Sequence, residues 1–331
     1  MKVSLFTSLS LAGLALAAPQ QKRAAVSAAD LAKIKLYAQW TAAASCNSDD
    51  VAPGTKVTCG KNECDTIESH NATVVGSFIG SILDTRGFVA VDPVDKVIVL
   101  SFKGSVSVRN WIVDFIFTQV PCDLVPGCLV HTGFYASYLE IASRALALVK
   151  EAKAANPTYK VAVTGYSLGA AVGTLAAGYL RKGGIATDLI TYGSPRVGNS
   201  AFAKFLTNQA GSELRVTHAA DPVPRLPPII FNYRHTSPEY WFDEGDDSEV
   251  TIGEIELCTG HANISCNGGT AGFNMDFHGW YFQGLVSCSP PSTPFRARTR
   301  SDISDAEIAA KLNEWVAEDI QLVKTLPAGE K

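Results

Sequence analysis

Beyond residue 18 the chain has no run long and apolar enough to cross a bilayer as a helix. It carries no basic stripe of the kind that tracks a nucleic-acid backbone and no acidic block that would read as a solvated tail; the formal charge is only −4. Nucleic acid is therefore not an expected partner. Internal repeats are absent as well, which excludes a solenoid. The cysteine spacing does not match a zinc cluster, and no metal or organic cofactor is expected. What is present is a chain of 331 residues, 47% hydrophobic and 18% charged, suited to a sizeable core in one large domain or two.

The first residues read as an address. Lys2 supplies a positive start, residues 3–18 are apolar, and the run ends in the small residues "LALAAP". Residues 1–18 are thus expected to be a secretory signal peptide, too short for a spanning helix with a stop-transfer pattern. Residues 19–23 end in Lys22-Arg23, a dibasic processing signal that would place the mature start near Ala24. The expected location is extracellular, where an even number of cysteines implies disulfides. Eight cysteines allow 105 pairings, and spacing alone does not choose among them. Three local pairs suggest themselves: Cys59 with Cys64, Cys122 with Cys128, and Cys258 with Cys266. Cys46 and Cys288 would then remain to staple the ends together. Asn71-Ala72-Thr73 and Asn263-Ile264-Ser265 are glycosylation sequons, expected on surface loops.

Short apolar runs alternate with helical patterns. "DKVIVLSFKG" (95–104), "YKVAVTG" (159–165), "TDLITYGSP" (187–195) and "ELRVTHAADP" (213–222) read as buried strands. Residues 135–157, 167–184 and 198–209 have helical periodicity. The alternation predicts an α/β fold, a mostly parallel sheet covered by helices on both faces. Working residues in such folds lie at the carboxyl ends of strands. After Cys288 a Pro-, Ser- and Arg-rich stretch (289–303) reads as a linker. Residues 304–326 then form an amphipathic helix, opened by a Ser304/Glu307 capping box, before a short tail at 327–331. This helix lies outside the main unit, free to pack on it, to be trimmed, or to bind something.

The one Gly-x-Ser-x-Gly in the chain, Gly165-Tyr166-Ser167-Leu168-Gly169, falls between a buried strand and a helix. A serine there sits on a sharp turn with the positive end of a helix dipole aimed at it. A glycine-rich packing corner accounts for the glycines but not for the serine, so Ser167 is the expected nucleophile. It needs a base and an orienting carboxylate, which in this setting follow in the order acid, then histidine. Asp221, after a strand and in the turn "ADPVPRLPP", is the expected acid. His218 is too near that acid on its strand, and His261 lies between cysteines beside a sequon. Position leaves His235 and His278 and favours the latter. Oxyanion donors each contribute about 2.7–4 kcal/mol in such sites. The expected pair is the N–H of Leu168 and Ser105 in the loop "SFKGSVS". Val108, Trp111, Ile112, Phe115 and Ile116 share one helical face directly after that loop. Most such stripes are simply core. Beside an oxyanion loop this one reads as a lid, covering the site in water and turning outward at a lipid surface.

Together "FKGSVSVRNWI", "HTGF" (131–134), "VTGYSLGAA", "TYGSPRVGN", "RVTHAADPVPRLPP" and "DFHGWYF" resemble the secreted class 3, or filamentous-fungal, triacylglycerol lipases of the α/β-hydrolase type. The resemblance covers residues 27–288, so residues 24–288 are expected to be one catalytic domain with a helical lid. It implies a Ser167–Asp221–His278 triad, which supports His278 over His235, and an oxyanion hole at Ser105 and Leu168. It implies Cys46–Cys288, Cys59–Cys64 and Cys122–Cys128 pairing, with Cys258–Cys266 left over. It implies hydrolysis of acylglycerols at a lipid–water interface, with no cofactor and no required oligomer. The resembled family usually has histidine where Tyr166 stands; a local packing change is expected rather than lost activity. Cutinases also carry Gly-Tyr-Ser, but they are shorter and place acid and base close together. The alternatives are a feruloyl-type esterase or a phospholipase A1 on the same fold, and, outside enzymes, a lipid-binding protein on a degenerate hydrolase fold. An apolar lid argues against the feruloyl-type esterase, and an intact set of site residues against the non-enzyme.

Overall fold

The computed structural model describes residues 26–60, 63–105, 108–109, 112, 116–243, 249–286, 288 and 303–331. The expected leader at 1–18, the 19–23 propeptide, nearly all of the 289–303 linker, and Trp111 and Phe115 lie outside the described residues. Helix α1 (Ala28–Asn47) opens on a Ser27/Asp30 capping box. The short helix α2 (Asp65–Ser69) leads into an antiparallel edge of β1 (Thr73–Ile79), β2 (Arg86–Asp92) and β3 (Val97–Phe102). A small ribbon of β4 (Gln119–Pro121) and β5 (Leu129–His131) precedes α3 (Thr132–Ala155). Then β6 (Lys160–Tyr166), α4 (Leu168–Lys182), β7 (Thr187–Tyr192), α5 (Ser200–Thr207) and β8 (Glu213–His218) alternate. The pair β9 (Glu239–Phe242) and β10 (Ile255–Cys258) closes the far edge, followed by α6 (Asp276–Gly279) and α7 (Asp305–Thr325).

The main sheet runs β1-β2-β3-β6-β7-β8-β9-β10. Its centre, β3 through β9, is parallel, and both edges are antiparallel. Every residue of β3 is buried, as a strand requires when both faces of its sheet are covered. One face packs under α1, with Trp40, Phe88, Tyr192 and Tyr281 in its core. The other lies under α3 and α4, with Phe102, Phe134 and Leu175. The strands expected at 95–104, 159–165, 187–195 and 213–222 are β3, β6, β7 and β8, each shorter at its carboxyl end or shifted by a residue.

Disulfides join Cys46 to Cys288, Cys59 to Cys64, Cys122 to Cys128 and Cys258 to Cys266. The first ties the end of α1 to a residue 242 positions later. Asn71 stands exposed, whereas Asn263 is half-buried, its amide nitrogen donating to the Thr259 carbonyl at 2.7 Å.

Helix α7 is docked on the catalytic body. Ile308, Leu312 and Trp315 are buried with Ile112, Val223 and Leu226. Asp319, on the same helix, is almost wholly buried. Its two oxygens accept the backbone N–H groups of Ile229 and Ile230, both at 2.9 Å, and one lies 3.7 Å from Arg196. Burial holds the Asp319 carboxyl above its usual range and pulls Arg196 down to about 10, so the pair is costly to desolvate and depends on both members. Beyond α7, the Glu330 carboxylate accepts from Ser200 and Lys204, and the Lys331 carbonyl from His261. Asp319→Ala should therefore destabilise the fold by about 3–5 kcal/mol, because a buried guanidinium loses its counter-charge. Thermal denaturation would read the loss.

Candidate active site

Ser167 is where the strand–helix junction concentrates strain. It follows the last residue of β6 and caps α4 with φ 56° and ψ −124°. A non-glycine residue held in that left-handed region costs on the order of 1–3 kcal/mol, and persists only where neighbours over-determine it. Here they do: β6 is a central buried strand, and Ser167 N–H donates to the Tyr192 carbonyl of β7 at 3.0 Å. The turn leaves Ser167 lining a small cavity of about 60 Å³ with Ser105, Val108, Phe134, Leu168, Pro195 and Val223. The two expected oxyanion residues, Ser105 and Leu168, thus share that cavity with Ser167.

Asp221 lies in the turn after β8 and is fully buried. One carboxylate oxygen accepts Val223 N–H at 2.9 Å. The other accepts His278 Nδ1–H at 2.8 Å and also the Tyr281 hydroxyl. Burial, with the Asp221 charge adding to it, holds the Tyr281 phenol well above its usual range, so it stays a donor. His278 sits in α6, almost wholly buried, and its Nε2 has no hydrogen-bond partner. A base with one nitrogen fixed on a carboxylate and the other unengaged is set to exchange a proton at Nε2. Gly193, after β7, has φ +54°, and a Cβ there would stand 2.9 Å from His278 Nδ1 and Cε1 and 3.0 Å from Asp221. Neither Tyr281 nor Gly193 is legible from spacing alone. Tyr281 lies beyond the end of α6, after the extended Trp280, and reaches Asp221 only through the fold.

The other histidines have structural posts. His235 Nε2 donates to the Pro224 carbonyl at 2.7 Å, and burial together with the Arg215 and Arg196 charges pulls it well below its usual range. His261 Nδ1 meets the His235 carbonyl at 2.9 Å, and His218 Nδ1 the Phe277 carbonyl at 3.0 Å. His131, from "HTGF", donates Nε2–H to the Ile116 carbonyl at 2.8 Å while Nδ1 accepts from Gly133 and Phe134. Burial lowers its pKa, which suits the neutral tautomer this arrangement needs.

Of the expected lid face, Val108 lines the cavity and Ile112 is buried against α7. Ile116 does not join them and is 60% exposed. Residues 116–118 are no longer helical, so the spacing that would bring Ile116 onto that face ends before it. Arg109 binds Asp305 at 2.8 Å and the Ile303 carbonyl at 3.0 Å. The segment after the oxyanion loop is therefore held against the start of α7. Among the described residues two clusters have the composition of a cation site, neither lining the cavity. In one, Cys258 and Cys266 are disulfide-bonded to each other; in the other, His70 Nδ1 and Asp92 are hydrogen-bonded at 2.8 Å.

A strained serine between a central parallel strand and a helix, with an acid following a later strand of the same sheet and a histidine from a short helix beyond it, defines an α/β-hydrolase-type fold. Residues 99–231 match the family model described as "Lipase (class 3)". The chain is 49% identical to "Secreted mono- and diacylglycerol lipase 1" of Fusarium solani, over 93% of this chain and 91% of the relative. It is 40% identical to "Secreted mono- and diacylglycerol lipase A" of Penicillium camembertii, over 89% and 99%. A solved mono- and diacylglycerol lipase from Aspergillus oryzae superposes with TM-score 0.75 at 36% identity, over 80% of this chain and all of that one. The chain belongs to the class 3 lipase family, whose members are carboxylic ester hydrolases.

Gly193→Ala tests how tightly the base is held. Its Cβ would displace His278 or Asp221, and misplacing a catalytic group by about 1 Å costs on the order of 100-fold. Ester turnover should fall by about that factor with little change in KM; a rate within a few-fold of the parent would contradict the packing.

Proposed function

We propose that the protein is a secreted lipase that cleaves acylglycerols through Ser167, with mono- and diacylglycerols as the favoured substrates. The observation that carries the mechanism is the His278 ring, fixed on Asp221 through Nδ1 while Nε2 lies buried and unengaged. Ser167 Oγ attacks the ester carbonyl as His278 Nε2 takes its proton. The oxyanion is stabilised by donors at Leu168 and Ser105. His278 returns the proton to the leaving glycerol oxygen. Water, deprotonated by the same nitrogen, then releases the fatty acid. Asp221 stays ionised and stabilises the imidazolium that forms in both halves. The preference for partial glycerides, like the secreted location, is supported by the names of the relatives at 49% and 40% identity.

Action at a lipid surface is supported by the cover over the cavity and by what surrounds it. Val108 lines the cavity beside Ser167, and Ile112 of the same segment is buried against α7, so an apolar segment borders the site where an acyl chain would enter. The turn from β1 to β2 lies beside the oxyanion loop, since Gly87 pairs with Phe102 and Lys103 N–H donates to the Arg86 carbonyl. On that turn Ile82 is 86% exposed and Leu83 45%; Leu139 of α3, next to Glu140, is 54% exposed. The Glu140 carboxylate accepts the backbone N–H groups of Ile82, Leu83 and Thr85, which keeps the turn from folding its apolar side chains inward.

Ser167→Ala should abolish hydrolysis of both soluble and emulsified esters while leaving the melting temperature within a few degrees of the parent. Residual turnover above background would sink the mechanism. Initial rates on mono-, di- and trioleoylglycerol should rank the partial glycerides first; a faster rate on the triester would remove that preference. The double variant Ile82→Ser/Leu83→Ser should retain its rate on dissolved p-nitrophenyl acetate. On an emulsion it should lose about tenfold, the equivalent of about 1.4 kcal/mol of apolar burial at the interface. Equal rates on the emulsion would remove the β1–β2 turn from the lipid-binding surface.

A further inference from the structure

The residue next to Ser167 in the elbow is a tyrosine, and it reaches the base. The Tyr166 hydroxyl donates to the His278 main-chain carbonyl at 2.7 Å. Helix α6 ends at Gly279 and the chain turns extended at Trp280, so this carbonyl has no acceptor role within its own helix. Unsatisfied in a buried site, it would cost about as much as a lost hydrogen bond. The same side chain packs its ring on the imidazole, centroids 4.6 Å apart and planes inclined by 31°. Main chain at Gly193 closes on the imidazole as well, near enough that no Cβ fits there. Tyr166 also meets the oxyanion loop. A Cβ on Gly104, the residue before Ser105, would stand 2.6 Å from Tyr166 Cδ1. The ring therefore fills the space between the oxyanion loop and the base, and the hydroxyl ties down the backbone of the base.

We propose that Tyr166 is a positioning residue for His278, its hydroxyl holding the His278 main-chain carbonyl near the end of α6 so that the imidazole keeps one orientation. The proposal rests on the reading of His278 as the base. Its physical logic is short-range. The segment bearing His278 lies far along the chain and is held by few main-chain bonds of its own, α6 being only four residues long. Tyr166 is the last residue of the rigid central strand β6 and immediately precedes Ser167. Tying the base to that residue makes nucleophile and base move as one body. A phenol is suited to the post: burial, with the Asp221 charge adding to it, holds Tyr166 well above its usual range, so it remains a donor. Asp221 fixes the ring at Nδ1, and Tyr166 fixes the main chain from which the ring projects.

Tyr166→Phe is the test, because phenylalanine keeps the ring between Gly104 and His278 and removes only the hydroxyl. On dissolved p-nitrophenyl butyrate, kcat should fall about five- to tenfold with KM unchanged. Phosphonylation of Ser167 by a p-nitrophenyl phosphonate should slow by the same factor. The low-field proton resonance of the His278–Asp221 hydrogen bond should broaden or shift, reporting a base that no longer keeps one position. Three outcomes overturn the proposal: kcat within twofold of the parent, a loss confined to KM, or a rate loss with an unchanged low-field resonance. Ser167→Ala keeps the two readings apart. If it retains activity, the mechanism fails; if it is inactive while Tyr166→Phe is unaffected, only the role of Tyr166 fails.

Discussion

The Asp221 carboxylate is the interaction on which the site hangs. It is fully buried, and a buried carboxylate is tolerated only where hydrogen bonds replace its hydration. Its donors come from two regions of the chain: Val223 from its own turn, His278 and Tyr281 from the late segment around α6. The same contacts that make Asp221 affordable therefore bind α6 to the end of β8. An acid that served only to orient a histidine could be left half-exposed. This one is a structural joint as well, which is how a four-residue helix holds the His278 ring in place.

What could be read from the chain divides along a physical line. The parallel centre of the sheet was legible because strands buried on both faces read as near-continuous apolar runs, and the alternation with helices is regular. The antiparallel edges β1, β2, β9 and β10 were not. β1 alternates half-buried and buried positions, and β9 and β10 are only four residues long, too short for a period to register. Helix α1 escaped because its buried side mixes Ile34, Tyr37 and Trp40 with alanines and the polar Thr41, Ser45 and Asn47, a weak contrast with its outer face. Ser167 and Asp221 stood at strand ends, where the fold places chemistry. Tyr281 and Gly193 act through approach between distant segments, which no local pattern encodes. Ile116 is exposed and non-helical, apart from the buried Ile112 with which the helical spacing grouped it.

Helix α7 makes the same point from the side of packing. Its apolar stripe and capping box were plain in the sequence, yet an amphipathic stripe does not say what it covers. Here Ile308, Leu312 and Trp315 meet Ile112 and Val223, residues at or beside the cover of the cavity. The position that marks the docking is the one that breaks the pattern. Asp319 is an acid on the buried side, intelligible only once Arg196 and the Ile229 and Ile230 N–H groups are in place. A violated binary pattern is thus the better guide to a specific contact, since conforming positions would serve against any apolar surface.

The site also shows how strain and support are distributed. Ser167 occupies an unfavourable backbone region, and nothing in its own side chain offsets that: it makes no capping hydrogen bond to α4. The stabilisation comes from β6, buried along nearly its whole length and paired in register on both sides. A strand so constrained can hold a strained residue at its end and has rigidity left to lend. The residue before the strained serine is the natural place from which to steady the base, because it is the last one with full sheet support. The strained Ser167 and the tyrosine that packs on His278 and meets Gly104 thus occupy two consecutive positions. A fixed point of that kind joins the end of the central strand to the segment that carries His278.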